Sequence, residues 1–492
     1  MASARIPMRT VWAVMGLLFV VEFTSGILQG YYTPLLTDIA RYLDIPDADV
    51  NWFEGGQLML SALIIPAMAR LGDMFGHRRI LLISLGVTAI ASYVLAFAGD
   101  FWSFLIAWSL QGFYIVWLPM LVALIYTRAR ELPEASRITR KAAGILVASL
   151  ETGVIVSALL AGQLAEPMIA AGQIQLMLLI PAFAVTACFF IVLFGVPHTP
   201  AAGEGGFDTV GAVLLTLSLL VTTAGLSFVR INGIESPLPW IVIVLGVVLL
   251  IPFTMWELRH EDPLIDIRMV RRPTTWPVFV TAALFGVSVL GAQAPLSTFA
   301  RTDPAEVGYG LGASAGLVSI LLGAYVLSLV IGALLFPLAS RLTTPRTVLI
   351  GAALLVAGGY FLFLPFHHSM AQALTNMIIA GLGSGALVAA LPAAAAAAAP
   401  PTQTGVATGL TNATKTVGGA VASAVFGLVL LQQIAETTGG VASTAGAYEG
   451  YLTVWILCGS TALLAALLLC FVPKVAFQDP DELPADQVAA GV

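Results

Sequence analysis

Long apolar runs separated by short polar loops set the pattern of this chain. Fourteen runs approach or exceed the ~20 residues a helix needs to cross a bilayer. They fall at about 11–36, 52–72, 80–98, 101–126, 141–165, 174–196, 207–229, 238–257, 274–300, 314–340, 346–366, 371–398, 404–433 and 448–472. The pattern predicts an all-α polytopic membrane protein with fourteen transmembrane helices. The first run is too long for a cleaved leader and lacks a cleavage pattern.

Polar positions inside the runs carry the functional signal. Glu22 lies about eleven residues into the first run, Glu151 about ten into the fifth and Lys415 about eleven into the thirteenth. At 1.5 Å per residue, each is about 15–17 Å deep, near the middle of a ~30 Å core. A charge there costs at least about 2.5–3.5 kcal/mol on insertion scales. One reading is that Glu22 and Glu151 bind and release protons while Lys415 biases them; the other is a static salt bridge locking helices. Glu22, Ser25, Gln29 and Tyr32 recur at i, i+3, i+7 and i+10, one stripe of a helix. Gln111 and Tyr114 are three apart, with Trp117 one step further, and Gln293 and Asn376 are isolated polar groups. Gln29, Tyr32, Gln111, Tyr114, Trp117, Gln293 and Asn376 are therefore polar or aromatic positions inside the runs, for which helix–helix hydrogen bonding is one reading. The small residues of 405–419 and Gly381-x-x-x-Gly385 suit close helix packing.

Composition agrees with the pattern. The chain is 59% hydrophobic and 10% charged, against about 25% charged in soluble domains. With the N-terminus inside, 17 of the 21 Lys and Arg fall on the cytoplasmic side, the exceptions being Arg41, Arg230, Arg301 and the embedded Lys415. That asymmetry places both termini in the cytoplasm and the protein in the cell inner (cytoplasmic) membrane. The net charge of −6 therefore says nothing about partners, and no nucleic-acid partner is expected. The acidic loop Asp38, Asp44, Asp47 and Asp49 reads as solvated. Cys188, Cys458 and Cys470 lie in apolar runs without metal-ligand spacing. His367 and His368 read as an exposed loop pair rather than a metal site. No phosphate-binding loop, nucleophile elbow or zinc-protease pattern occurs, so neither an enzyme nor a cofactor is expected.

One loop, Arg70-Leu-Gly-Asp-Met-Phe-Gly-His-Arg-Arg79, packs many charges into a short turn. Asp73, Gly76, Arg78 and Arg79 match the loop between segments 2 and 3 of major facilitator superfamily transporters, which this chain resembles; Ala69 stands where the first glycine usually is. Gly205-Gly-Phe-Asp-Thr-Val-Gly211 and Trp256-Glu-Leu-Arg-His-Glu-Asp-Pro-Leu-Ile-Asp-Ile-Arg-Met-Val-Arg-Arg272 resemble the junctions around the inserted helix pair of the fourteen-segment drug/proton antiporter family. The resemblance implies a six-helix half at 1–197, a linker with two inserted helices at 198–272, a pseudo-symmetric six-helix half at 273–473 and a tail at 474–492. It implies that segments 1, 4, 9 and 12 line a cavity, which makes Gln29, Tyr32, Gln111, Tyr114, Trp117, Gln293 and Asn376 candidate substrate-binding residues, that segment 13 contacts segment 2, and that Asp73, Gly76, Arg78 and Arg79 form a gate. Two departures stand out. Trp108 occupies the place of the family's segment-4 arginine, and Gly153-Val-Ile-Val-Ser157-Ala158-Leu-Leu-Ala161-Gly162 keeps the small-residue spacing of the antiporter signature but lacks its proline.

The expected function is proton-coupled export of a hydrophobic or amphipathic small molecule by a monomeric chain in contact with lipid. The alternatives are a transporter or facilitator of another solute, and a receptor or assembly factor that kept the fold.

Overall fold

The computed structural model describes residues 8–129, 135–197, 207–233, 235–261, 263–398, 404–431 and 444–471. The expected linker 198–206, the tail 474–492 and Arg5, Arg130 and Lys474 lie outside the described residues. Regular structure among the described residues is helical throughout. Hydrocarbon offers no partner for a backbone N–H or C=O, so a spanning segment must satisfy these groups within itself. Among the described residues, twelve stretches are long and apolar enough to cross a membrane, including Asp47–Phe75, Phe101–Ile125, Ala142–Ala170, Thr209–Val229, Pro237–Glu257 and Trp276–Arg301. The two other expected runs coincide with a 23-residue helix, Met8–Gly30, and a shorter apolar helix, Pro345–Phe361. The protein is a multi-pass membrane protein.

One compact unit comprises Met1–Ile45, Ile64–Phe207 and Ser314–Gly323. It holds α1 (Met8–Gly30), α2 (Leu36–Tyr42), the second part of α3 (Val50–Phe75), α4 (His77–Phe97), α5 (Phe101–Gln111), α6 (Trp117–Ala129), α7 (Ala135–Ala170) and α8 (Ile174–Gly195). α1 packs chiefly on α7 and α8, and α4 on α8 and α5. Glycine makes the α1–α7 seam possible. A Cβ on Gly26 would strike the Leu150 carbonyl, one on Gly153 the Phe23 carbonyl, and one on Gly30 Val154. Ser149 donates across the same seam to the Phe19 carbonyl at 2.8 Å. The small-residue spacing of segment 5 therefore brings two backbones together, and α7 runs unbroken from Ala135 to Ala170. Segment 4 is broken: a 3₁₀ turn, Gly112–Val116, separates α5 from α6. Positions three apart eclipse in a 3₁₀ turn, so the stripe through Gln111, Tyr114 and Trp117 is not that of an α-helix.

The second unit comprises Pro46–Leu63, Asp208–Ala313 and Ala324–Val492. It holds the first part of α3, then α9 (Thr209–Asn232), α10 (Pro237–Val248), α11 (Leu250–Glu257), α12 (Ile267–Val270), α13 (Trp276–Gly286), α14 (Gln293–Arg301), α15 (Pro304–Val307), most of α16 (Ala315–Leu342), α17 (Pro345–Phe361), α18 (Met370–Ala398), α19 (Thr404–Leu431) and α20 (Tyr448–Leu469). A π-helical turn, Val287–Gly291, joins α13 to α14. α9 and α10 pack mainly on each other. Only 22% and 17% of their spanning windows are buried, against 67% for α13–α14, so this pair presents most of its apolar surface outward, as a lipid-facing hairpin does. Its inner face is small: a Cβ on Gly225 would meet Ile243 and one on Gly246 would meet Thr222. The close-packing reading of α18 and α19 holds. Gly381 and Gly385 lie against Tyr325 and Leu329 of α16, and Gly418 against Ala283 of α13. The expected contact of segment 13 with segment 2 is present, with Gly55 beside Ala420 and Gly419 beside Leu58.

The acidic loop after α1 is not solvated. Asp38, Asp47 and Asp49 are buried, and of the four acids Asp44 alone is exposed. The loop folds into α2 and a 3₁₀ turn, Asp47–Asp49, and Asp47 N donates to the Thr444 carbonyl. Compact short helices, rather than an open loop, withdraw these carboxylates from water.

Candidate functional site: the buried polar groups around Glu22

α1 carries Glu22 into the interior of the first unit, with 0% of the residue exposed. Neither carboxylate oxygen has a hydrogen-bond partner among the described residues. Leaving a buried polar group without a partner is costly, and for an ionised carboxylate far more so. Its surroundings are small or weakly polar. Cys188 of α8 lies within electrostatic reach, and Thr24 turns its hydroxyl back to the Val20 carbonyl. Glu151, on α7, is half-buried and belongs to the same unit. Lys415 is half-buried on α19 in the second unit; its carbonyl packs against Gly286.

Further along the same stripe, Tyr32 and Gln111 meet. Gln111 Nε2 donates to Tyr32 Oη at 3.1 Å and to Ser92 Oγ at 2.9 Å. Trp108, in the place of the family's arginine, lays its ring against Tyr32 at 5.0 Å. An aromatic platform thus replaces a cation. Gln29 is half-buried and Tyr114 buried. Tyr32 stands just beyond the end of α1, where a short 3₁₀ turn begins, so the stripe ends in a bend.

Three expected binding residues are engaged inside the fold. Trp117 is fully buried and donates from Nε1 to Ser84 Oγ at 2.8 Å. Asn376 donates to the Phe366 carbonyl at 2.7 Å, closing the turn before α18. Gln293 donates to the Val289 carbonyl across the π turn at 3.0 Å. Each satisfies a backbone or side-chain acceptor that burial would otherwise leave orphaned.

The charged loop forms the expected tight turn, with Gly76 at φ +91° between α3 and α4. Asp73 Oδ1 lies 3.4 Å from His77 Nε2. Arg78 is buried and donates to the Leu193 carbonyl of α8 at 2.6 Å, neutralising a helix C-terminus. Arg79 is exposed.

A model of the Major Facilitator Superfamily matches residues 18–423, which takes in Glu22, the charged loop, both inserted helices and Lys415. The chain belongs to the Major Facilitator Superfamily. Its relatives in that family are distant. The probable actinorhodin transporter of Streptomyces coelicolor is 24% identical, over 96% of this chain and 82% of that protein. The puromycin resistance protein pur8 of Streptomyces alboniger is 26% identical, over 88% and 85%. The uridine/deoxyuridine transporter of Lactococcus lactis is 22% identical, over 75% and 79%. Among solved structures, a POT family transporter in complex with a conjugated peptide aligns over 95% of this chain and 99% of its own, with a TM-score of 0.67 and 17% identity. That likeness establishes the facilitator fold. Two of these three relatives, and the aligned structure, are named as transporters.

Sequence reasoning missed several polar groups of this facilitator. His367 is buried rather than exposed: its Nδ1 donates to the Phe363 carbonyl at 2.9 Å, and Tyr448 Oη lies 2.8 Å from its Nε2. The His368 ring lies against it, tilted, with centroids 4.0 Å apart, and burial together with that neighbour holds His367 below the ordinary histidine range. Both line a cavity of about 670 Å³ with Tyr309, Tyr448 and Glu449. Glu54, on α3, is a further acid inside a span. It escaped notice because it lies near the end of its apolar run, where an acid looks like an edge residue. No group of three or more metal-ligating side chains occurs among the described residues.

Proposed function

We propose that this facilitator exports a hydrophobic or amphipathic small molecule by alternating access, coupled to proton movement through Glu22. The observation that carries the reading is the Glu22 carboxylate, buried in a spanning helix with no hydrogen-bond partner among the described residues. A carboxyl that gains and loses a proton there changes the electrostatic cost of its own burial, and a proton-coupled cycle needs such a group. The names of two relatives, an actinorhodin transporter and a puromycin resistance protein, support the substrate class. So do the apolar surroundings of Tyr32, Trp108 and Gln111, which suit a ligand that is mostly hydrophobic with a few polar groups.

On this reading α1 and Pro345–Phe361 also span, giving fourteen helices as two six-helix halves and an inserted pair, with both termini cytoplasmic in the inner membrane. Glu151 and Lys415 modulate the proton site. Asp73, Gly76, Arg78 and Arg79 act as a gate. Gln29, Tyr32, Gln111 and Tyr114 contact the substrate, in a chain that works as a monomer.

The test is proton release on substrate addition, and gradient-driven uptake into inverted vesicles, for the wild type and Glu22→Gln. The variant is expected to bind substrate but to lose gradient-driven uptake. Unchanged pH-dependent transport would sink the proposal. A second reading, a facilitator of another solute, is favoured by the uridine/deoxyuridine relative; transport without proton release in the wild type would select it.

A further inference from the structure

A second pair of acids lies far along the chain from Glu22, where the inserted helices begin and end. Asp208 caps α9: its Oδ1 accepts from Gly211 N at 2.8 Å and from Trp256 Nε1 at 2.9 Å. Glu257, the last residue of α11, accepts from Ile265 N through Oε2 at 3.1 Å. The two residues are each 2% exposed. Their remaining oxygens, Asp208 Oδ2 and Glu257 Oε1, converge over Gly211, where a single added Cβ would strike both. The carboxyls are within hydrogen-bond reach of each other. No donor among the described residues reaches either of these oxygens. Two buried carboxyl oxygens facing each other without a donor repel unless something positive lies between them.

We propose that Asp208 and Glu257 form a proton-binding site. One proton, shared between Asp208 Oδ2 and Glu257 Oε1, fastens the start of α9 to the end of α11, and its release to water unfastens them. Protonated, the pair carries one negative charge and a carboxylic O–H donating to a carboxylate. Deprotonated, it carries two charges in contact and no donor. Because Trp256, Gly211 and Ile265 hang on the same two carboxyls, the lock also holds the loop 258–265 against the helix pair.

The surrounding groups leave room for this. Burial would raise the Asp208 carboxyl, but the Gly211 and Trp256 donors and the nearby His260 together hold it below its ordinary value. Asp208 is thus the acceptor and Glu257 the proton carrier. The His260 ring lies tilted beside Trp256, with centroids 5.6 Å apart. Asp266 accepts from Arg268 N and Met269 N at the start of α12, and the Arg268 guanidinium donates to the Leu258 carbonyl. Arg259 and Glu261 are exposed. α10 carries no titratable group, α9 carries Arg230 at its far end, and α19, which also packs on α9, carries Lys415. Asp262 lies outside the described residues.

The test uses the full-length protein in lipid nanodiscs, followed by infrared difference spectroscopy between about pH 5 and about pH 9. The wild type should lose a protonated-carboxyl C=O stretch as pH rises. That component should be missing from Glu257→Gln and from Asp208→Asn, whose amides donate the hydrogen bond permanently. Trp256 emission, isolated by subtracting Trp256→Phe, should shift with the same midpoint in the wild type and stay constant in both amide variants. Persistence of the carboxyl component in either folded amide variant would overturn the proposal. A transition that follows added sodium or calcium at fixed pH would also overturn it, because a metal ion would then occupy the place of the proton. Glu22→Gln leaves this signal intact, which separates the present site from the transport reading.

Discussion

Glu22 and Asp208 are both withdrawn from water, at 0% and 2% exposure, yet the fold treats them in opposite ways. Asp208 sits at a helix N-terminus, where backbone and indole N–H groups converge on one of its oxygens. Glu22 sits mid-helix, where every backbone N–H is already committed to the turn before it, and neither of its oxygens has a partner among the described residues. The first arrangement stabilises a charge as part of the architecture. The second leaves a group whose favourable state depends on whether a proton is present. Burial alone does not distinguish the two; the supply of donors does.

The largest effect should come from removing the seam that holds Glu22 in place. Gly26→Val puts a branched side chain against the Leu150 carbonyl. Overpacking of that kind costs about 3 kcal/mol or more where backbones cannot part. Monodisperse folded protein should be lost on size-exclusion chromatography, and a well-folded Gly26→Val with native thermal stability would show that the seam is loose. Next, the two acids themselves should diverge. Asp208→Ala removes a helix cap and an indole partner and should destabilise by about 1–2 kcal/mol. Glu22→Gln should change thermal stability by less than about 1 kcal/mol, since it removes no hydrogen bond. Equal losses in thermal melts would erase the contrast between the sites.

His367 extends the comparison to a base. Burial and His368 hold it below its ordinary value, so the unfolded chain binds this proton at a higher pH than the folded one does. Stability should therefore fall as pH drops through the ordinary histidine range, near about 6.5, and continue down to the depressed folded value. His367→Asn should flatten that slope; an identical pH profile in melts of the variant would place the effect elsewhere. The smallest effect belongs to Asp73. Its carboxylate is about half exposed and pairs with a histidine at 3.4 Å, and exposed pairs contribute about 0–1 kcal/mol. Asp73→Asn should leave the melting temperature nearly unchanged while shifting cysteine accessibility toward the inward-facing state, as the gate proposal requires. A large stability loss would make Asp73 a structural residue instead.

Much of this was legible in the residues. Apolar run length located the twelve candidate spans among the described residues, because a helix must supply about 20 apolar residues whatever it packs against. Gly76 announced its turn, since a positive φ favours glycine. Glu22 stood out because an acid in mid-run has no cheap explanation. The acidic loop was misread for a related reason: periodicity reports whether a segment crosses hydrocarbon, not whether a loop folds back into short helices. The partners of Trp117 and Asn376 were not legible, because a polar or aromatic residue on a helix looks the same whether it faces a ligand or a neighbouring side chain or carbonyl.

Sequence by itself determined the placement of the apolar helices, the family and the identity of the embedded acids, because each depends on local composition or short spacing. Tertiary structure decided which acids receive donors. It turned Gly153 and Ser157 into a packing seam with α1, put Trp108 against Tyr32, gave Arg78 to a helix end of α8, and brought Asp208 and Glu257, forty-nine positions apart in the chain, over one glycine. Hydrogen-bond partners come from whichever helices pack alongside, and no local pattern in the chain encodes that choice.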